Sequence, residues 1–372
     1  GTNFGYALLW ALVFATLATI TLQEMSARFG TITQKGLGQA LGEKLATSIW
    51  RWPVFALIMI ALYIGNAAYQ AGNLSGAALG IEAVIGSGEN TFRLAILSIA
   101  AIAGFFLWRG SYKRIEKVLI TLVLFMGVAF VATFIVVRPN LSEVLHGLLV
   151  PSIPDGSLLT IIALIGTTVV PYNLFLHASA AKSKWAGKSD LPAARTDTVL
   201  AIGLGGLITI FIVSTAAAGM FARGLNVTSA SDMALQLEPL FGSFSRHLMG
   251  LGFFAAGLSS SITAPLATAY AISEITNIEG GFRARKFRAI SISVLVIGMT
   301  VALTGIKPIT LIIGAQFANG LLLPLIASFL LYAMNQRELL GEYANGWKAN
   351  LAGAVVLFVA LGLGLRTVSY TH

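Results

Sequence analysis

Apolar residues run along this chain in blocks the length of a membrane-crossing helix, and polar residues collect between them. The blocks fall at 5–23, 53–76, 92–108, 116–137, 157–181, 197–221, 246–273, 288–306, 308–333 and 350–367. A helix needs roughly 20 apolar residues to cross the hydrocarbon core, so the pattern predicts about ten spanning helices. The connectors at 28–50 and 225–239 are long enough for short interfacial helices. Nothing indicates a second domain beside the bundle.

One block is interrupted. Between 157 and 181 the chain reads Gly166-Thr167-Thr168-Val169-Val170-Pro171-Tyr172-Asn173. Proline removes a backbone donor and clashes with the preceding turn, and the β-branched run before it prefers extended geometry. The helix is expected to break here. Unpaired peptide groups at mid-membrane depth are tolerated only where protein or a watery cavity satisfies them, and in secondary transporters such breaks mark the substrate site. A simple proline kink is the competing reading.

Composition strengthens the membrane assignment. Of 372 residues 56% are hydrophobic and 10% charged, with a mean hydropathy of +0.83, against about 25% charged in soluble domains. The fold class is therefore an all-α polytopic membrane protein. With no cysteine, thiolate metal sites, disulfides and cysteine nucleophiles are excluded. A net charge of +9 would suggest a nucleic-acid partner in a soluble protein. Here it reports topology, and the partner is the lipid bilayer. Connectors alternate in charge: 18 of the 24 basic residues, among them Arg28, Lys35, Arg109, Lys182, Arg195, Arg288 and Arg337, lie on one side, and Arg93, Arg138, Arg223, Arg246, Lys307 and Arg366 on the other. The positive-inside rule puts the rich set in the cytoplasm.

The chain also repeats itself. An offset of 195 aligns Met25 with Met220, Ala27 with Ala222, Arg28 with Arg223, Thr33 with Thr228, Glu43 with Glu238 and Arg51 with Arg246. It continues through Phe92-Arg93 with Phe287-Arg288, Ser98 with Ser293, and Gly110 with Gly305. Each identity is weak, but they share one gapless offset. Matched connectors sit on opposite sides, which makes the repeat inverted, as in many transporters. Residues 1–137 read as the remainder of a first repeat, 157–334 as the second, and 350–367 as an additional helix. Subtracting 195 from the break lands before residue 1, so its partner helix is expected upstream.

At this point a family resemblance becomes specific. The run Gly166-Thr-Thr-Val-Val-Pro-Tyr-Asn-Leu-Phe-Leu-His177 resembles the broken sixth helix of the NRAMP divalent-metal transporters, which reads Gly-Ala-Thr-Val-Met-Pro-His-Asn-Leu-Tyr-Leu-His. Phe4-Gly-Tyr-Ala-Leu-Leu-Trp10 with Leu22-Gln-Glu-Met-Ser-Ala-Arg28 resembles the second helix, and Gln316 before Leu323-Pro324 the tenth. The resemblance covers essentially the whole chain. It implies a LeuT-like inverted repeat of eleven helices in the full protein, the first carrying an Asp-Pro-Gly-Asn metal motif and preceding this chain.

The departures are chemical. Val170 stands where the family has a methionine whose soft thioether favours transition metals. Tyr172 replaces a histidine, and a phenol does not titrate near neutral pH. Where relatives carry an Asp and a Glu three residues apart, this chain has Asn66 and Tyr69.

The fifteen acidic residues all fall in connectors or at helix ends. Intramembrane carboxylates usually mark ion and proton paths, so their absence argues against strong proton coupling. The candidate cation ligands are neutral: the backbone carbonyls of Thr167, Thr168, Val169 and Val170, the Thr168 hydroxyl, Tyr172, Gln316 and Asn319. Gln316 and Asn319 share a helix face, and either could instead hydrogen-bond a neighbouring helix. Tyr63, Asn66, Tyr69, Gln70 and Asn73 recur at helical spacing, fitting a hydrated path or bonds between helices. The seam Ser259-Ser260-Ser261-Ile-Thr263 fits close packing. His177 is a packing residue or a proton relay; His146, His247 and His372 carry no assignment.

No enzyme motif is found, and no cofactor is implied. The sequence thus points to a bacterial inner-membrane transporter working by alternating access. Its substrate is a divalent cation of the manganese, iron, magnesium or calcium class, with relaxed selectivity and weak or absent proton coupling. A LeuT-like carrier of an amino acid or other small organic solute, and a non-transporting membrane protein, are the alternatives.

Overall fold

A computed structural model describes the chain except for residues 45–48, 50, 111–112, 226, 228, 279 and 371–372. Thr228 and His372 therefore lie outside the described residues, as do the side chains of Lys44, Arg51, Lys113, Arg114 and Arg366.

The described residues form helices and no strand: α1 (Leu9–Thr33), α2 (Leu37–Lys44), α3 (Arg51–Ile85), α4 (Glu89–Arg109), α5 (Lys113–Val137), α6 (Leu141–Leu149), α7 (Leu158–Thr168) and α8 (Pro171–Lys184). Then come α9 (Leu191–Gly219), α10 (Ala230–Ala234), α11 (Glu238–Phe241), α12 (Ser245–Thr276), α13 (Arg285–Ala302), α14 (Pro308–Met334), α15 (Arg337–Leu340) and α16 (Trp347–Tyr370). Ten spans were expected. Among the described residues, eight helical stretches are long and apolar enough to cross a membrane, with α7 and α8 counted together, and nine if α15 and α16, bent by 114°, form one span. The block at 288–306 became α13, which falls short of that count and whose first turn carries Arg285, Lys286 and Arg288.

The internal offset reappears in the helix limits. Adding 195 to the bounds of α3, α4 and α5 gives 246–280, 284–304 and 308–332, close to those of α12, α13 and α14. The short helices expected in the two long connectors are α2, α10 and α11. The sequence pattern did not indicate α6. Its start is set by Asn140, whose side chain accepts from the amides of Ser142 and Glu143 and caps two otherwise free donors.

Small residues set the packing, because lipid is as apolar as a core and close backbone approach supplies the attraction. A Cβ on Gly80 would stand 2.5 Å from the Gly250 carbonyl oxygen, and one on Gly257 2.7 Å from that of Asn73, so α3 and α12 run backbone to backbone. A Cβ on Gly30 would stand 2.1 Å from the Ala178 carbonyl oxygen, bringing α1 equally close to α8. Polar side chains complete these contacts. Pro265 inside α12 leaves the Ser261 carbonyl without its helical donor, and the Gln70 Nε2 on α3 donates to that carbonyl at 3.0 Å. Towards their C-terminal ends, Ser179 on α8 donates to the Glu274 carboxylate of α12 at 2.6 Å, with Lys182 3.6 Å away.

Candidate functional site

The expected break is present. α7 stops at Thr168, Val169 and Val170 take φ/ψ of −95°/77° and −82°/120°, and Pro171 opens α8. Proline suits a first helical position because that amide would have no partner anyway. The Val169 N–H still donates to the Ile165 carbonyl at 2.9 Å, and the Asn173 N–H to that of Val170 at 3.0 Å. The Thr167 carbonyl would normally receive the amide four residues on. That residue is Pro171, which has none. A peptide oxygen is thus freed at the break, next to the buried Val169, Val170 and Tyr172; Thr167 is exposed and Thr168 half-buried. The Thr168 hydroxyl donates to the Leu164 carbonyl at 3.0 Å, leaving only its lone pairs for a ligand.

α14 faces this break at almost no distance. A Cβ on Gly166 would stand 2.1 Å from the Gln316 carbonyl oxygen and 2.5 Å from the Gly320 nitrogen, and one on Gly320 2.8 Å from the Ile162 carbonyl oxygen. Pro324 inside α14 leaves the Gly320 carbonyl without its helical donor, a second peptide oxygen freed near the first. Among the described residues, the buried Gln316 Oε1 and Asn319 Nδ2 find no hydrogen-bond partner. Leaving such a group unsatisfied costs about 1–3 kcal/mol. Two orphans three residues apart on one helix face, beside a broken helix, are what a polar ligand or water would relieve.

Two tyrosines close the site. The rings of Tyr69 on α3 and Tyr172 on α8 meet edge to face, centroids 5.7 Å apart at 65°. Sequence periodicity had not paired these residues, because the pairing depends on how α3 and α8 pack.

The other candidates lie apart or are engaged. Asn66, only 2% exposed, donates through Nδ2 to the Thr268 hydroxyl, tying α3 to α12. Gln70 and Asn73 continue that row, Asn73 donating to the Gln70 Oε1 at 3.3 Å, while Tyr63 donates to Ser293 at 2.5 Å. His177 pairs through Nε2 with the Thr198 hydroxyl of α9 at 3.0 Å. Of the Ser259–Thr263 seam, the Ser261 hydroxyl is buried with no partner among the described residues. No group of three or more His, Asp or Glu residues converges anywhere among them. The donor set at the break is consequently neutral, made of peptide oxygens, one amide oxygen and two phenols. Such a set suits a hard cation or a polar solute and offers no proton acceptor near neutral pH.

Comparison with known proteins agrees with this geometry. A family model described as natural resistance-associated macrophage protein-like, Nramp, matches residues 1–369. A divalent metal cation transporter MntH of Klebsiella pneumoniae subsp. pneumoniae is 29% identical over 369 residues, covering 96% of this chain and 86% of the relative. The Klebsiella pneumoniae strain 342 protein of the same name is 28% identical over 372 residues, covering 98% and 86%. Among solved structures, the Eremococcus coleocola manganese transporter in complex with an aromatic bis-isothiourea compound superposes with a TM-score of 0.71 at 19% identity, over 100% of this chain and 81% of that one. MhsT in complex with L-phenylalanine superposes with a TM-score of 0.65 at 15% identity, over 98% and 91%. The fold is LeuT-like.

Proposed function

Because the chain belongs to the Nramp family, we propose that it carries a divalent metal cation across a bacterial inner membrane, by alternating access around the break at 166–172. It is an integral membrane transporter rather than an enzyme, and the metal is cargo. Supporting this are relatives named as divalent metal cation transporters and a helix broken where peptide oxygens can replace part of a cation's hydration shell. The free carbonyl of Thr167, those of Thr168, Val169 and Val170 and the Gln316 Oε1 are the ligands this chain contributes, with Asn319 beside them. Tyr172 and the remaining polar residues shape the site.

The observation that carries the selectivity reading is Val170. It is 3% exposed in the extended link, where the family places a thioether. A soft sulfur gains more from manganese or iron than from magnesium or calcium. With only oxygen ligands, that advantage disappears, and discrimination against the hard cations relaxes. Coupling to protons is weak or absent, since Asn66, Tyr69 and Tyr172 stand where relatives hold titratable groups.

Uptake into proteoliposomes tests the reading. Manganese and magnesium should both enter at comparable concentrations, and a labelled amino acid should not. Strong preference for manganese removes the selectivity claim; uptake of the amino acid in place of either metal removes the metal claim.

A further inference from the structure

The stretches 109–117 and 279–288 together hold eight basic residues against two acids, Glu116 and Glu279. The fold brings the two stretches to one place. α4 ends at Arg109, α5 starts at Lys113 and α13 starts at Arg285. The Arg288 Cζ lies 5.3 Å from the centroid of the Trp108 ring, so the first turn of α13 stands beside the last turn of α4. Leu107, Leu119 and Phe287 pack in one core behind them. Arg109, Lys117, Arg283, Arg285 and Lys286 are exposed, and none of the five makes an ion pair among the described residues.

Basic residues elsewhere in the connectors are neutralised within the protein. Glu24 pairs with Arg28 and Arg195, Glu43 with Lys35, Glu274 with Lys182, Asp197 with Lys184 and Glu342 with Lys188. The positive-inside rule counts Lys and Arg with little regard to nearby acids, so it does not explain why one set is paired and the other bare. Two exposed rings border the bare set: Phe105 is 54% and Trp108 64% exposed at the end of α4. The Arg109 Cζ lies 5.8 Å from the centroid of the Phe105 ring. Exposed apolar side chains of a spanning helix meet acyl chains, and tryptophan at its end marks the headgroup level. The cations therefore stand at the height of lipid phosphates.

We propose that this cluster is a docking site for the headgroup of an anionic phospholipid, whose phosphodiester meets the basic side chains while Phe105 and Trp108 cover the start of its acyl chains. The inference goes beyond the metal reading and does not depend on it. Guanidinium groups grip phosphate oxygens through paired N–H bonds. A zwitterionic lipid brings a cation of its own to an already positive surface, and a free anion has no acyl chain for the two rings to cover.

The full chain in detergent can be titrated with phosphatidylglycerol, phosphatidylcholine or inorganic phosphate, with the apparent affinity read from the rise in melting temperature. Phosphatidylglycerol should bind most tightly, and added salt should weaken it. Changing Arg283→Gln, Arg285→Gln and Lys286→Gln together should weaken it about a hundredfold, at about fivefold per cation. Changing Lys35→Gln, Lys184→Gln and Lys188→Gln removes the same net charge from paired sites and should cost less than about fivefold. Arg109→Gln with Lys117→Gln should cost about twentyfold, and serves if the first triple variant fails to fold. Equal losses in the two triple variants would mean diffuse attraction to net charge and overturn the proposal. Phosphatidylcholine binding as tightly as phosphatidylglycerol would overturn it too, as would inorganic phosphate displacing the lipid, which would mark a site for free anions.

Discussion

The Arg28 Nη2 donates to the Asn345 Oδ1 at 2.9 Å, joining the C-terminal part of α1 to the loop before α16 across 317 residues of sequence. The same guanidinium donates to both Glu24 carboxylate oxygens at 3.0 Å and to the Tyr343 carbonyl at 2.7 Å, and is 5% exposed. Arg195, at the start of α9, adds a bond to Glu24 at 2.7 Å. At the internal offset of 195, Arg28 corresponds to Arg223 and Glu24 to Gly219. Arg223 is exposed. At the offset position the cation is present without an acid four residues before it.

Arg28→Gln should therefore destabilise the protein where Arg223→Gln does not. Removing one partner of a fully buried ion pair costs about 3–5 kcal/mol. Glu24 is 20% exposed and keeps Arg195, which lowers the expectation to roughly 2–3 kcal/mol. Arg223→Gln should stay within about 0.5 kcal/mol. Thermal melting of the detergent-solubilised protein reads both. Equal shifts would mean that the network adds nothing to the folded state.

The crossing at the break yields a steric prediction. Gly166→Ala places a methyl group against backbone of α14, which cannot swing aside, so it should cost about 1–3 kcal/mol and abolish most transport. Gly203 lies within α9 with nothing near its missing Cβ. There Ala should be neutral or stabilising by up to about 1 kcal/mol, because glycine weakens a helix interior. A Gly166→Ala protein with normal uptake would show that α7 and α14 do not meet as described.

Val170→Met restores a thioether to the extended link. The variant should shift the manganese-to-magnesium ratio of kcat/KM toward manganese by about tenfold or more, about 1.4 kcal/mol of differential affinity. Uptake assays with each ion alone and in competition measure it. An unaltered ratio, in a wild type already selective for manganese, would show that position 170 does not set the preference.

How much of this could be read from sequence divides by range. The break was legible because Pro171 and the β-branched run before it act on their own backbone, and the wild-type geometry follows. The repeat was legible because helix lengths are preserved at one offset. Arg28 was read as a connector cation, since apolarity ends near residue 23; α1 in fact continues to Thr33 and buries it. Its burial needs Asn345, which no local pattern reveals. The pairings of Tyr69 with Tyr172 and of Asn66 with Thr268 were hidden for the same reason. Gln70 was read only as part of a polar row on α3, because its partner, the Ser261 carbonyl freed by Pro265, lies on another helix.

The absence of titratable groups at the break predicts how flux responds to pH. Metal entry should leave the liposome lumen at constant pH, and the initial rate should vary little between about pH 6 and 8, where only histidine among ordinary side chains titrates. His177 is paired with Thr198 of α9, so His177→Asn should leave the pH profile unchanged. A pH-sensitive dye inside the vesicles is the readout. Metal-dependent acidification would restore proton coupling, and its loss in His177→Asn would name the carrier.

Gln70 and Pro265 offer a test of how α3 and α12 are joined. In the wild type, Gln70→Leu removes the only donor reaching the Ser261 carbonyl among the described residues, because residue 265 has no N–H to give. Hydrogen bonds between membrane helices average about 0.6 kcal/mol and reach about 1.7; this one, compensating a proline, belongs at the upper end. Pro265→Ala supplies a backbone N–H four residues after Ser261, and the helix can then pair its own carbonyl. Gln70→Leu should accordingly cost roughly 1–2 kcal/mol in the Pro265 protein and much less in the Pro265→Ala protein. Thermal or denaturant unfolding of the four proteins completes the cycle. Should Gln70→Leu cost the same in both backgrounds, Gln70 is held by packing against Gly298, whose missing Cβ leaves room for its side chain, and the carbonyl of Ser261 is satisfied in some other way.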